Sequence, residues 1–127
     1  MLTILAGAWR QISEDVMARL PEEACGILLG RGDTVMEAWV CRNAHPGDRT
    51  RNFELAPQDQ FDCARHARAA GLELVAYYHS HPNGSPEFSE TDKRLAVCGS
   101  RHVIIPVAGG QLGPPRSYRI RGAVSTG

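Results

Sequence analysis

Two histidines one residue apart, His79 and His81, close the most strand-like stretch of the chain and run into Pro82. On an extended backbone, residues two apart point to the same side, so both imidazoles can converge on one ion. Asp92 follows downstream, and imidazole nitrogen with carboxylate oxygen are zinc's usual non-sulfur donors. Three such ligands leave one tetrahedral corner for water. That water needs a base which does not itself occupy the metal, and Glu23, in Pro21-Glu22-Glu23-Ala24-Cys25-Gly26, is the candidate. Each piece has a plainer reading. The histidine pair can be incidental, Ser89-x-x-Asp92 matches a helix capping box, and Glu23 can be a solvated carboxylate at the start of a strand. The joint pattern favours chemistry, because a cap explains neither two histidines directly upstream nor a strand that delivers them to a Pro/Gly loop. His45, His66 and His102 fall in a loop, a helix and a strand and read as ordinary surface or core histidines.

The elements that must position these residues follow from periodicity. Trp9, Ile12, Val16 and Leu20 form one stripe of a helix over Ala8–Leu20, with Arg10, Glu14, Asp15 and Arg19 elsewhere and Pro21 as its stop. Ala24–Leu29 and Thr34–Cys41 read as strands joined by Arg31-Gly32-Asp33. Arg42–Arg51 reads as a loop, followed by a brief strand at Asn52–Leu55. Arg49 and Arg51 are there either as solvated loop residues or as contacts for a partner carboxylate. A second helix runs from Pro57 to Gly71. Leu72–His79 (LELVAYYH), apolar on both faces, reads as a central buried strand. Ser89–Val97 suggests a short helix, His102–Val107 another strand and Arg116–Arg121 a last one. The expected fold class is α/β, a mixed sheet flanked by helices.

Pro21-x-Glu23-x-x-Gly26-x-x-x-Gly30, with His79-x-His81-Pro82 and then Ser89-x-x-Asp92, resembles the JAMM (MPN+, Mov34/PAD-1) metalloprotease family, in its small prokaryotic form. The resemblance implies a single domain over residues 1–127 with a cytidine-deaminase-like fold, its mixed sheet curved. It implies one zinc ion per chain held by His79, His81 and Asp92. Glu23 would hold the water and act as general acid/base, and Ser89 would donate to the oxyanion. The implied activity is hydrolysis of an amide or isopeptide bond after the C-terminal glycine of a ubiquitin-like, sulfur-carrier protein. The alternatives are a non-enzymatic interaction module of the same fold, or a peptidase for an unrelated peptide. A DNA-repair branch of the family carries His-Asn-His-Pro where this chain has His79-Ser80-His81-Pro82. A nucleobase deaminase would need H-x-E and P-C-x-x-C, and neither occurs.

At 127 residues, 43% hydrophobic and 22% charged, the chain has the composition of one globular domain. Fourteen bases cancel 14 acids, which excludes the overall cationic signature of a dedicated nucleic-acid binder. The balance is a sum of opposites, since all 14 acids lie in residues 1–92, while residues 93–127 hold six bases and no acid. That split is either compositional chance in an arginine-rich chain or a basic docking face for an acidic partner. No apolar run is long enough to span a membrane, and Met1–Ala8 lacks the features of a secretory signal. Cys25, Cys41, Cys63 and Cys98 show no zinc-knuckle spacing and read as free thiols of a cytoplasmic protein.

Overall fold

A computed structural model describes residues 2–85 and 100–119. The elements are β1 (Thr3–Ile4), α1 (Ala6–Arg19), β2 (Cys25–Arg31), β3 (Thr34–Cys41), α2 (Pro57–Ala70), β4 (Glu73–His81), β5 (Arg101–Ala108), β6 (Gln111–Leu112) and β7 (Arg116–Arg119). Among the described residues the strands form one mixed sheet in the order β1-β3-β2-β4-β5-β6, with β7 also on β5. β2 lies antiparallel to both β3 and β4, and β4 lies parallel to β5. The expected α/β architecture with a mixed sheet is what forms, with β4 inside it and flanked on both edges.

Period two divides β2 and β4 between two cores. Ala24, Leu28, Ala76 and Tyr78 face the α1 side, where Ala8, Ile12 and Val16 pack on them. Cys25, Ile27 and Leu29 face the other side and meet Cys63 and Ala67 of α2. Gly26 explains how a tyrosine fits in this sheet. A Cβ there would stand 2.4 Å from both the Trp39 carbonyl oxygen and the Tyr78 ring, so only glycine allows the ring to lie across β2. Gly30 is equally constrained, with a Cβ falling 1.8 Å from the Thr34 carbonyl oxygen across the hairpin. Both glycines of the sequence motif are therefore packing requirements.

Tyr78 docks α1 in return. Its hydroxyl donates to Asp15 Oδ2 at 2.8 Å, and Asp15 also pairs with Arg19 at 3.2 Å. This corrects the sequence reading, which set Asp15 off the buried stripe: it is 7% exposed, and its carboxyl lies above the usual range because burial outweighs the Tyr78 hydrogen bond and Arg19. α2 begins at Pro57 as expected and ends at Gly71, whose φ of 70° suits the left-handed cap.

Other departures are local. Asn52–Leu55 forms no strand, only a single bridge between Asn43 and Leu55, because side-chain bonds from Asn43 take the place of a ladder. β4 runs two residues past His79, held there by the parallel ladder pairing His81 with Pro106. The short strands β1 and β6 were not expected. The expected helix over Ser89–Val97 and the end of the last strand at Arg121 lie outside the described residues. Cys25, Cys41 and Cys63 are free and buried.

Candidate metal centre

Register builds the site. The antiparallel ladder places Cys25 opposite His79, and one further pair is closed by Ser80 N–H donating to the Ala24 carbonyl at 3.0 Å. Continuing that register sets Glu23 opposite His81, on the same face as both histidines. Ser80, pointing to the other face, accepts from Ala24 N–H at 2.8 Å and locks the pair. One donor atom from each of Glu23, His79 and His81 lies within 4.8 Å of the others, and all three residues are buried. Glu23 is 4% exposed, which disposes of its reading as a solvated strand-start carboxylate.

The two imidazoles are fixed differently. His81 Nδ1 lies 2.7 Å from the Ser85 carbonyl oxygen. A carbonyl only accepts, so Nδ1 carries the proton and the Nε2 lone pair is left for the site. His79 lies against Phe53, ring centroids 4.4 Å apart and planes 19° apart. The two Nε2 atoms stand 3.1 Å from each other.

This donor set fits a zinc ion. Two nitrogens on tetrahedral arms of about 2.0–2.1 Å are roughly 3.3 Å apart, close to the observed spacing, and His81 has the carbonyl-anchored tautomer that metal-binding histidines use. Glu23, His79 and His81 are brought together; Ser89 and Asp92, the other two sequence candidates, lie outside the described residues. The cleft over the centre, about 600 Å³, is lined by Glu23, Thr50, Arg51, His81, Pro82, Asn83 and Ser85. Arg49 is not in that lining; it pairs with Glu22 at 3.3 Å and accepts from Glu23 N–H through its carbonyl at 2.7 Å.

Cys25 stands beside His79 in the ladder, a thiol–imidazole neighbourhood that could suggest a nucleophile. Burial argues otherwise. It pushes the Cys25 thiol far up, Cys41 to about 12 and Cys63 to about 11, which disfavours the reactive thiolate at all three. The other histidines are structural: His45 Nδ1 accepts from Gly47 N–H, His66 pairs with Glu37 and stacks on Trp39, and His102 stacks on Tyr77. Sequence reasoning missed Ser80, Phe53 and Asn43. Only Ser80 left a trace, as a small polar residue in an apolar strand.

Comparison with known proteins places the fold and the family together. Residues 5–121 match the family of prokaryotic homologs of the JAB domain, and the chain belongs to that family. A desampylase of Haloferax volcanii is 36% identical over 78 residues, 60% of this chain and 55% of its own length, so the match spans little more than half of that relative. A solution structure of a Desulfitobacterium hafniense protein superposes with a TM-score of 0.84 at 27% identity, over 95% of this chain and 85% of that one. A JAB1/MPN domain protein from Archaeoglobus fulgidus shares the fold, with a TM-score of 0.59 at 21% identity over 94% and 86% of the two chains.

Proposed function

We propose that this chain is a zinc-dependent peptidase that cuts an amide or isopeptide bond after the C-terminal glycine of a ubiquitin-like, sulfur-carrier protein in the cytoplasm. The observation that carries the reading is the convergence of Glu23, His79 and His81 beside a cleft that Glu23 and His81 line. The desampylase among its relatives supports a ubiquitin-like substrate, and three free buried thiols fit a reducing compartment. Among the described residues, no helix is long and apolar enough to cross a membrane.

In this proposal His79, His81 and Asp92 hold the ion. When bound, zinc supplies Lewis-acid polarisation of the scissile carbonyl and lowers the pKa of the attacking water. Glu23, shielded from bulk solvent, takes that water's proton and passes it to the departing amine. The Ser89 hydroxyl donates to the carbonyl oxygen as charge builds on it. Arg51, Thr50 and Asn83 line the cleft that receives the extended tail. One domain over residues 1–127 is part of the same proposal.

The test is incubation of purified protein with ubiquitin-like carriers bearing C-terminal extensions, followed by intact mass. Trimming at the glycine, abolished by chelator and restored by zinc, is the expected result. Stoichiometric zinc with no cleavage of any carrier fusion would leave the chain an interaction module. Cleavage confined to unrelated peptides would reassign its substrate.

A further inference from the structure

Glu23 continues the register of β2 two residues ahead of that strand's first residue, and a second set of bonds adds to what the register provides. Its backbone is held by the 43–54 loop. Glu23 N–H donates to the Arg49 carbonyl at 2.7 Å, and the Glu23 carbonyl accepts from Asn43 Nδ2 at 3.1 Å. The same Nδ2 donates to the Asn52 carbonyl at 2.9 Å, while Oδ1 accepts from the N–H of His45 at 3.1 Å and of Glu54 at 3.2 Å. Two donors and two acceptor sites are the full capacity of a primary amide, so Asn43 is saturated.

These four bonds connect three stretches of the chain: Glu23, two residues before β2, the exit of β3 and the return of the loop toward α2. Phe53 sits between two of the bonded residues, Asn52 and Glu54, and its ring is the one lying on His79. Phe53 is 5% exposed and packs in the α2-side core, while the Asn43 bonds to Asn52 and Glu54 hold the backbone on either side of it. One side-chain amide thus acts on both halves of the centre, on Glu23 through its carbonyl and on His79 through Phe53.

The geometry points to Asn43 as a positioning residue that sets the Glu23 carboxylate and the His79 imidazole relative to each other, an inference that rests on the peptidase reading for its catalytic consequence. Outer partners of metal centres typically change metal affinity or activity by about 10–100-fold when replaced. Asn43→Asp keeps the shape and the Oδ1 acceptor but replaces the amide nitrogen, and with it both donors, by an oxygen facing two carbonyl oxygens. Asn52→Ala is the control: it removes the Asn52 Nδ2 bond to the Asp48 carbonyl, 3.0 Å, but leaves the main-chain carbonyl that Asn43 uses.

The experiment titrates each purified variant with cobalt(II), follows the visible absorption bands, and measures kcat and KM on a carrier fusion with far-UV circular dichroism as the folding check. We expect Asn43→Asp to bind cobalt about 10–100-fold more weakly with displaced bands, and to lose kcat by a similar factor with KM within about two-fold. Asn52→Ala should follow the wild type. Wild-type cobalt affinity, bands and kcat in Asn43→Asp would overturn the inference, as would equal band displacement in Asn52→Ala, which would make the whole loop responsible. Should Asn43→Asp not fold, Asn43→Ser, which keeps one donor and adds no charge, is read the same way. A wild type that cuts no carrier defeats the peptidase reading, while the cobalt bands still decide the role of Asn43.

Discussion

Glu23 is a carboxylate that the fold buries without needing it for packing: its neighbours across the ladder are a histidine and a serine-locked pair, not an apolar cluster. A buried acid in such a place is retained for chemistry or for a ligand. Glu23→Gln preserves shape and removes proton uptake. We expect it to bind zinc with wild-type stoichiometry, measured by elemental analysis, and to hydrolyse carrier fusions about 10²–10⁴-fold more slowly. Near-normal turnover would take Glu23 out of the base role. The histidines were legible because strand period two alone aims His79 and His81 together. Glu23, 56 positions before His79, was a candidate from its place ahead of an apolar strand, was strengthened by the motif, and is explained by register. Asn43 and Phe53 left no trace, since an amide that saturates a loop has no period and no fixed spacing.

At the level of elements, the hairpin of β2 and β3, both helices and the central strand were readable, because turn residues, Pro57, Gly71 and an apolar run mark them locally. The brief strand at Asn52–Leu55 was not what forms, since a loop pinned by side chains and a strand share a composition. The burial of Asp15 was hidden for a related reason: its stabilising partner, Tyr78, comes 63 positions later. Burial raises the Asp15 carboxyl above the value of about 3.9 expected in the unfolded chain. The folded state therefore binds the proton more tightly. The stability Asp15 contributes is complete below the unfolded value and declines as pH rises through the raised folded value. Asp15→Asn has no such slope. Urea unfolding of both proteins with chelator present, from about pH 4 to about pH 7, should show Asp15→Asn gaining on the wild type as pH rises. A constant difference across that range would mean that Asp15 ionises in the fold as it does in the unfolded chain. The slope carries the test because it reflects only the proton that wild-type Asp15 binds more tightly in the fold, which an asparagine cannot take up.

Over the whole molecule, the acids stop at Asp92 and the remaining 35 residues carry only bases. The structure separates two uses of that charge. Arg101 is tied to Asp33 at 2.6 Å and to the Gly32 carbonyl at 3.1 Å, so it braces β5 against the turn between β2 and β3. Arg116, on β7, is exposed and borders the hollow that also takes in Gly84, three residues beyond His81. A partner that covered the cleft and reached past Gly84 into this hollow would meet Arg116, and Arg119 continues the same strand. If this face steers an acidic ubiquitin-like protein, its effect must fade with salt, because the screening length falls from about 10 Å at 0.1 M to about 3 Å at 1 M. Glutamate at positions 116, 119 and 121 together should lower kcat/KM for a carrier fusion strongly at low salt and little at high salt, with kcat nearly unchanged. A loss of equal size at every ionic strength would mean that folding was damaged and not steering. Wild-type activity throughout would return the charge split to compositional chance, and the cleft would then have to select its partner by the contacts of Thr50, Arg51 and Asn83 alone.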